Sequence, residues 1–332
     1  MKKSLLTFVA LMAGLLTAHA IKDNTVTIVY NGSTAVVTVA DNIQQYVTVS
    51  SGTSAHVVLV QDPTFAGVNF TTSNDTGEIT YNLSGRSDDG SFTLEGSYKC
   101  TVEVDGLTLT NPGGAPLALM NGKRVELSAK SGTVNTLTDG ANDTYNGCIH
   151  CKGHLKLKGK GTLNVIGNVK HGIYSKEYLE VKNLTLNVTA AEKDGMHCKQ
   201  YFLMESGKVT ISGVKEDGIQ VELDGTTSTG ITADHEEEDT GNFYMEDGTL
   251  NITEGTGKAI KADGTITYSG GTQNFNTNNT ETSAGIASML NGASMKGHGV
   301  YDLLGRQLPS GNRQRGIIMV RQGAKVIKTL GK

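Results

Sequence analysis

Between residues 146 and 270 the apolar and polar positions repeat. Gly172, Gly195 and Gly218 open near-equivalent segments, each glycine 23 residues after the one before. Aligned on them, Ile149, Ile173, Met196, Ile219 and Ile260 form one apolar column. Two positions on, Cys151, Ser175, Cys198, Val221 and Ala262 form a column of small residues. Apolar pairs recur as Leu155/Leu157, Leu179/Val181, Phe202/Met204 and Phe243/Met245, and again as Leu163/Val165, Leu186/Val188, Val209/Ile211 and Leu250/Ile252. This alternation predicts three short strands per turn, separated by Gly, Asn, Asp and Lys corners. A strand-type pattern with a fixed period in the twenties is the signature of a solenoid. The leucine and asparagine spacing of a leucine-rich repeat is missing. The expected fold is therefore all-β, a right-handed parallel β-helix with equivalent residues stacked about 4.8 Å apart. One turn is longer, because Ile260 follows Ile219 by 41 residues and so carries an 18-residue insert.

The pattern divides the chain. Residues 99–271 hold the regular turns, and 21–98, rich in β-type runs without a clean period, read as an N-terminal β cap and first coils. Residues 272–298 are polar and read as a linker, and 299–332 return to strand-like alternation as a short C-terminal β tail. Residues 1–20 have the form of a signal peptide: Lys2 and Lys3, an apolar run from Leu5 to Leu16, then Ala18-His19-Ala20. No other apolar run is long enough for a bilayer. The expectation is a secreted or cell-surface protein without membrane insertion. Forty-two glycines, four prolines and no tryptophan suit many tight corners.

Charge is uneven. The segment 291–332 has eight Lys or Arg against one Asp although the whole chain stands at −4, so the body before it is distinctly acidic. That argues against nucleic acid as a partner and favours cations or neutral ligands. Four cysteines, Cys100, Cys148, Cys151 and Cys198, allow disulfides in an exported chain. Cys151 and Cys198 share a column but stand two turns apart, roughly 9.6 Å, beyond disulfide reach. Buried free thiols are expected.

Two resemblances add to this reading. Asn135–Gly140 (NTLTDG), Gly161–Val165 (GTLNV) and the corners Asp194-Gly195-Met196 and Asp217-Gly218-Ile219 resemble the carbohydrate-binding parallel β-helix family known for binding cellulose and pectate. The likeness runs over about residues 95–271. It implies a pectate-lyase-like fold, calcium binding and a polysaccharide partner. The acidic corners of that family are replaced here by Gly147 and His171 on the first two turns. The tail, through Val300–Arg306, Arg315–Val320 and Lys325–Ile327, resembles the end of type IX secretion sorting domains, which implies an encounter with that secretion machinery.

Candidate chemistry follows from the columns. Asp194 and Asp217 are expected one turn apart, where two carboxylates repel by roughly 3.5 kcal/mol at an effective dielectric of 20. Bound calcium would reverse that repulsion, with Glu192 and Glu216 close by on the same corners. Neutralisation by Lys193, Lys215 and Lys258 is the competing explanation, and Asp-Gly is a good turn in its own right. Asp139 and the insert's acidic run from Asp234 are further cation candidates. An outward column, His154, Tyr178 and Tyr201, with Tyr174 beside it and Lys156 near, offers rings and a cation to a glycan chain. The same rings also suit simple stacking on a flat sheet. Cys148-Ile-His-Cys-Lys-Gly-His154 invites a metal reading, but Cys148 and Cys151 should face opposite sides of a strand.

The reading reached is a secreted, calcium-dependent, non-catalytic binder of plant-type or acidic polysaccharide. A calcium-dependent pectate-type lyase and a structural or adhesin-type solenoid are the alternatives.

Overall fold

The computed structural model describes residues 21–51, 54–68, 77–141, 144–225, 238–253, 257–275, 299–301, 316–322 and 325–331. The expected signal segment, Asp234 and most of the expected linker lie outside these residues.

Each turn of the body contributes three strands. The first row is Gly147–Cys151, His171–Ser175, Met196–Lys199, Ile219–Glu222 and Ile260–Ala262. The second is Leu155–Gly159, Leu179–Lys182, Tyr201–Met204, Asn242–Met245 and Ile266–Tyr268. The third is Thr162–Ile166, Thr185–Ala190, Lys208–Ile211, Thr249–Ile252 and Thr272–Phe275. Within a row every pairing is parallel and follows the repeat: Ile149 faces Ile173, Ile173 faces Met196, Met196 faces Ile219 and Ile219 faces Ile260. The columns read from the sequence are thus stacks of buried side chains. A fully buried Leu, Ile or Phe contributes about 1.5–3 kcal/mol, so each turn is held mainly by its neighbours.

Three rows make only two large sheets, one of nine strands and one of sixteen. The join is Cys100–Asn111, a twelve-residue strand. Its first half pairs with Val125–Ala129 and its second half with Val134–Asp139, so the second and third rows are continuous through it. A shorter three-stranded antiparallel sheet, Gly299–Tyr301, Gly316–Gln322 and Lys325–Gly331, forms the C-terminal segment. The chain is nearly all β, an all-β solenoid with long parallel sheets. Among the described residues no helix is long and apolar enough to cross a membrane.

The glycine column has a packing reason. A Cβ on Gly172, Gly195 or Gly218 would lie 2.6, 2.5 and 2.6 Å from a methyl group of Val188, Ile211 and Ile252, and within 2.7 Å of the next turn's carbonyl oxygen. These positions point into the core, where the third-row column leaves no room. The four cysteines are buried and free. Cys148 and Cys151 were expected on opposite faces, yet both sulfur atoms belong to the interior cluster. Cys148 is the second residue of its strand and stands in register with Gly172, in the glycine column that faces the core.

Candidate functional site

Two places on the outside of the solenoid gather chemistry. One is the corner where the first row begins. Here each column residue binds the backbone of the following turn. The Asp217 N–H donates to Asp194 Oδ1 at 2.9 Å, the Lys258 N–H donates to Asp217 Oδ1 at 2.6 Å, and the Asp194 N–H points at His171 Nδ1 at 3.3 Å. Asp194 and Asp217 therefore do lie on successive turns, but each spends one oxygen on an amide.

Their second oxygens are also engaged. Asp194 Oδ2 lies 3.2 Å from His171 Nδ1 and 3.0 Å from His197 Nδ1, while Asp217 Oδ2 lies 3.6 Å from Lys261 Nζ. Asp194 is fully buried. Burial opposes its charge, but hydrogen bonds from His171 and His197 prevail and hold the carboxyl well below the usual range. Burial lowers His171 in turn, against the pull of Asp194. Of the other expected ligands, Glu192 pairs with Lys215 at 2.6 Å on the surface and Glu216 is exposed. Among the described residues the group able to surround an ion is His171, Asp194 and His197. Asp139 is buried elsewhere, accepting the Asn168 N–H. The donors around Asp194 are thus two imidazole nitrogens and one carboxylate oxygen, a set that suits calcium poorly. Sequence reasoning missed this grouping, although His171 was visible as the residue standing where an acid was expected.

Beside the corner, the outer face of the nine-stranded sheet carries a run of rings. His150 stacks on Tyr174 at 5.1 Å and 7°, and Tyr174 on His197 at 5.3 Å and 19°. Tyr174 is half-buried within it.

The second place lies one row further round. His154, Tyr178 and Tyr201 stack as expected, with centroids 4.1 and 4.8 Å apart. Their exposure differs from expectation. Tyr178 and Tyr201 are buried and form a satellite cluster with Leu203. Lys156 lies over the Tyr178 ring at 5.5 Å and pairs with Glu180 at 3.0 Å, and Glu180 accepts the Tyr201 hydroxyl at 2.8 Å. A column of bulky outward side chains has closed over itself, so Tyr201 presents no free face to a sugar and Lys156 is committed to a carboxylate.

Tyr178 does reach one opening. A cleft of about 350 Å³ is lined by Ser97, Tyr98, Lys99, Lys123, Arg124, His154 and Tyr178. Arg124 is shared between Glu78 and Glu126, Lys99 lies 3.9 Å from Glu78, and His154 Nε2 meets Glu177 at 2.6 Å. Lys123 stands exposed at the rim. Tyr98, His154 and Tyr178 line this cleft beside exposed Lys123, so the C–H face of a sugar can pack on a ring while the Lys123 ammonium meets a carboxylate.

Comparison with known proteins gives the family without specifying the glycan or the site. A family model described as carbohydrate-binding domain-containing protein matches residues 66–301. A carbohydrate-binding domain-containing protein of Acetivibrio thermocellus is 26% identical over 111 residues, which covers 30% of this chain and 39% of that protein. The chain thus matches well under half the length of that relative. A solved structure described as the polysaccharide lyase-like protein from C. thermocellum, in a gadolinium derivative, is similar with a TM-score of 0.53 at 20% identity, covering 79% of this chain and 97% of that one. That likeness concerns the fold.

Proposed function

Because the chain belongs to the family of carbohydrate-binding domain-containing proteins, we propose that it is an exported, non-catalytic polysaccharide-binding protein that prefers acidic glycans. The observation that carries the preference is the cleft joining Tyr98, His154 and Tyr178 to Lys99, Lys123 and Arg124. Its volume matches one or two sugar units rather than a flat crystalline surface. The solenoid is read as a right-handed parallel β-helix with a capping N-terminal segment, exported by its signal segment and a sorting-type tail. Calcium dependence belongs to the same proposal, through exposed Glu216 with Asp217 and Glu192, whose present partners Lys261 and Lys215 the ion would displace.

The test is retention of the whole chain on polygalacturonate, cellulose and a neutral galactan, each with calcium and with chelator. Acidic polymer should retain the protein most strongly, and the Lys99→Ala/Lys123→Ala double variant should elute about tenfold earlier in affinity, the loss expected when a charge-assisted contact worth about 1.4 kcal/mol disappears. Retention unchanged by chelator would remove calcium from the reading. Absence of binding to every polymer would sink it, and release of unsaturated uronate, seen as rising ultraviolet absorbance, would replace binding by lyase chemistry.

A further inference from the structure

We propose that His171, Asp194 and His197 form a binding site for a borderline divalent transition-metal ion, with zinc as the best fit. The inference goes beyond polysaccharide binding and does not depend on it.

Geometry is the first support. Four-coordinate zinc holds nitrogen and oxygen ligands at 2.0–2.1 Å, which sets neighbouring ligand atoms about 3.3 Å apart. Asp194 Oδ2 already stands 3.2 Å from one Nδ1 and 3.0 Å from the other, and one ligand atom from each of the three residues falls within 4.8 Å of the rest. The two histidine–carboxylate separations are thus already near the zinc value, and the remaining histidine–histidine separation, at most 4.8 Å, has to close by up to about 1.5 Å. The three groups are carried on stiff backbone. His171 opens one strand, His197 lies in the next, and Asp194 occupies the corner between, whose carboxylate is oriented by the Asp217 N–H.

A second, independent support is the surroundings of the imidazoles. His197 turns its other nitrogen, Nε2, toward Glu222 Oε2 at 3.5 Å. A carboxylate behind a histidine is the arrangement that orients metal-binding imidazoles and raises their basicity. His171 Nδ1 meets both the Asp194 N–H at 3.3 Å and the Asp194 carboxylate at 3.2 Å. A lone pair on that nitrogen suits the first contact and a proton suits the second, so protons alone satisfy the corner incompletely. A cation between Oδ2 and the two Nδ1 lone pairs removes the conflict at the carboxylate, at the cost of the weak 3.3 Å contact from the Asp194 N–H.

Donor chemistry selects the ion. Two nitrogens and one oxygen are too few and too soft for calcium, which takes six to eight oxygens, whereas imidazole with one carboxylate suits zinc and its neighbours in the series. The His171 and His197 side chains keep 10% and 9% of their surface open, which leaves an approach for water or a ligand atom to complete the fourth position. Next to it run Tyr174 and His150, so a ligand bound there would lie along a row of rings.

The experiment is metal titration of the full chain after stripping with chelator, without glycan. Cobalt(II) serves as the spectroscopic probe and zinc as competitor. The expected result is one equivalent of cobalt bound, with the intense visible bands of a four-coordinate ion, displaced stoichiometrically by zinc and unaffected by millimolar calcium. His197→Gln and Asp194→Asn should each weaken binding by more than a hundredfold, and Glu222→Gln by about 10–100-fold, the range found when a partner behind a ligand is removed. Circular dichroism checks that each variant is folded. The proposal is overturned if the wild-type chain gives no such bands up to millimolar cobalt, whatever the variants do. It is equally overturned if a folded His197→Gln chain binds as tightly as wild type. Loss of polysaccharide retention in the earlier test leaves this outcome untouched.

Discussion

Replacing Gly195 by alanine is the sharpest test of how the turns stack. Gly195 does not occupy the left-handed region, so no backbone strain enters. The added methyl would sit 2.5 Å from Ile211 Cγ2 and 2.7 Å from the Gly218 carbonyl oxygen. Ordinary contacts begin near 3.4 Å, so one or both neighbours must retreat by most of an ångström. The carbonyl belongs to the next turn and accepts the Met196 N–H at 3.0 Å, which makes retreat costly. Overpacking a tight core costs about 1–3 kcal/mol, and the upper end applies where backbone is the obstacle. Gly122 is the control: nothing lies within 4 Å of its added Cβ and its φ is not left-handed. There alanine should be neutral or stabilise by up to about 1 kcal/mol, because it narrows the unfolded ensemble. Urea unfolding followed by circular dichroism should separate the two variants by about 3 kcal/mol. Equal stabilities for Gly195→Ala and Gly122→Ala would refute the register in which Met196 lies against Ile219.

Three further outcomes follow from the buried groups. Burial, with Lys170 second, pushes the His150 imidazole down to about 4. The folded chain therefore binds this proton more weakly than the unfolded chain, whose value is near 6.5. Stability from this residue is full above pH 6.5 and is lost as the pH falls toward 4. The bound is about 3 kcal/mol, nearer 1 after allowance for its partial exposure, and the drop in urea midpoint between pH 7 and 4.5 should shrink in His150→Gln. The cysteine thiols are raised by burial, Cys151 to about 12, so a thiol reagent should label none of the four until denaturant is added; fast labelling of the folded chain contradicts the buried assignment. Glu180, only 4% exposed, holds both Lys156 and the Tyr201 hydroxyl, and Glu180→Ala should cost about 2–3 kcal/mol, with a coupling to Lys156→Ala of about 1 kcal/mol in a double-mutant cycle.

The repeat was legible because two periods coincide. Side chains alternate every two residues within a strand, and equivalent positions return every 23, so Ile173, Met196 and Ile219 align from the sequence alone. The fusion of two rows into one sheet was not legible. Asp105-Gly106 reads as a turn, and Gly106 does take a φ of 70°. The chain nevertheless stays in one strand, because the pairing with Ile79–Ser87 shifts register by one residue at this point, a bulge that absorbs the glycine. Alternation sets Tyr178 and Tyr201 apart from the main core, where they form their own buried cluster, but does not say what covers them. That depends on Glu180 and Leu203, two positions on from Tyr178 and Tyr201, whose column reads Lys156, Glu180, Leu203 and Tyr244 and so has a fixed place but no fixed chemistry.

The corner illustrates why a site is harder to read than a fold. A column assigns its members one shared environment, and on that basis Asp194 and Asp217 looked like a pair of equals. In the structure Asp194 has two imidazoles and Asp217 has Lys261. The difference arises because His171 stands in the same column one turn below, while His197 belongs to an adjacent column and converges at the corner. Chemistry here is set across columns rather than along them. The departure from the acidic pattern at His171 was therefore the most informative residue of the repeat: a solenoid tolerates many side chains at an outward corner, and a histidine facing a buried carboxylate converts an oxygen ladder into a mixed nitrogen and oxygen site. If the column alone governed, Asp194→Asn and Asp217→Asn would have the same effect on cobalt binding. The cross-column arrangement requires the first to abolish it and the second, whose amide N–H merely orients Asp194 Oδ1, to leave it largely intact.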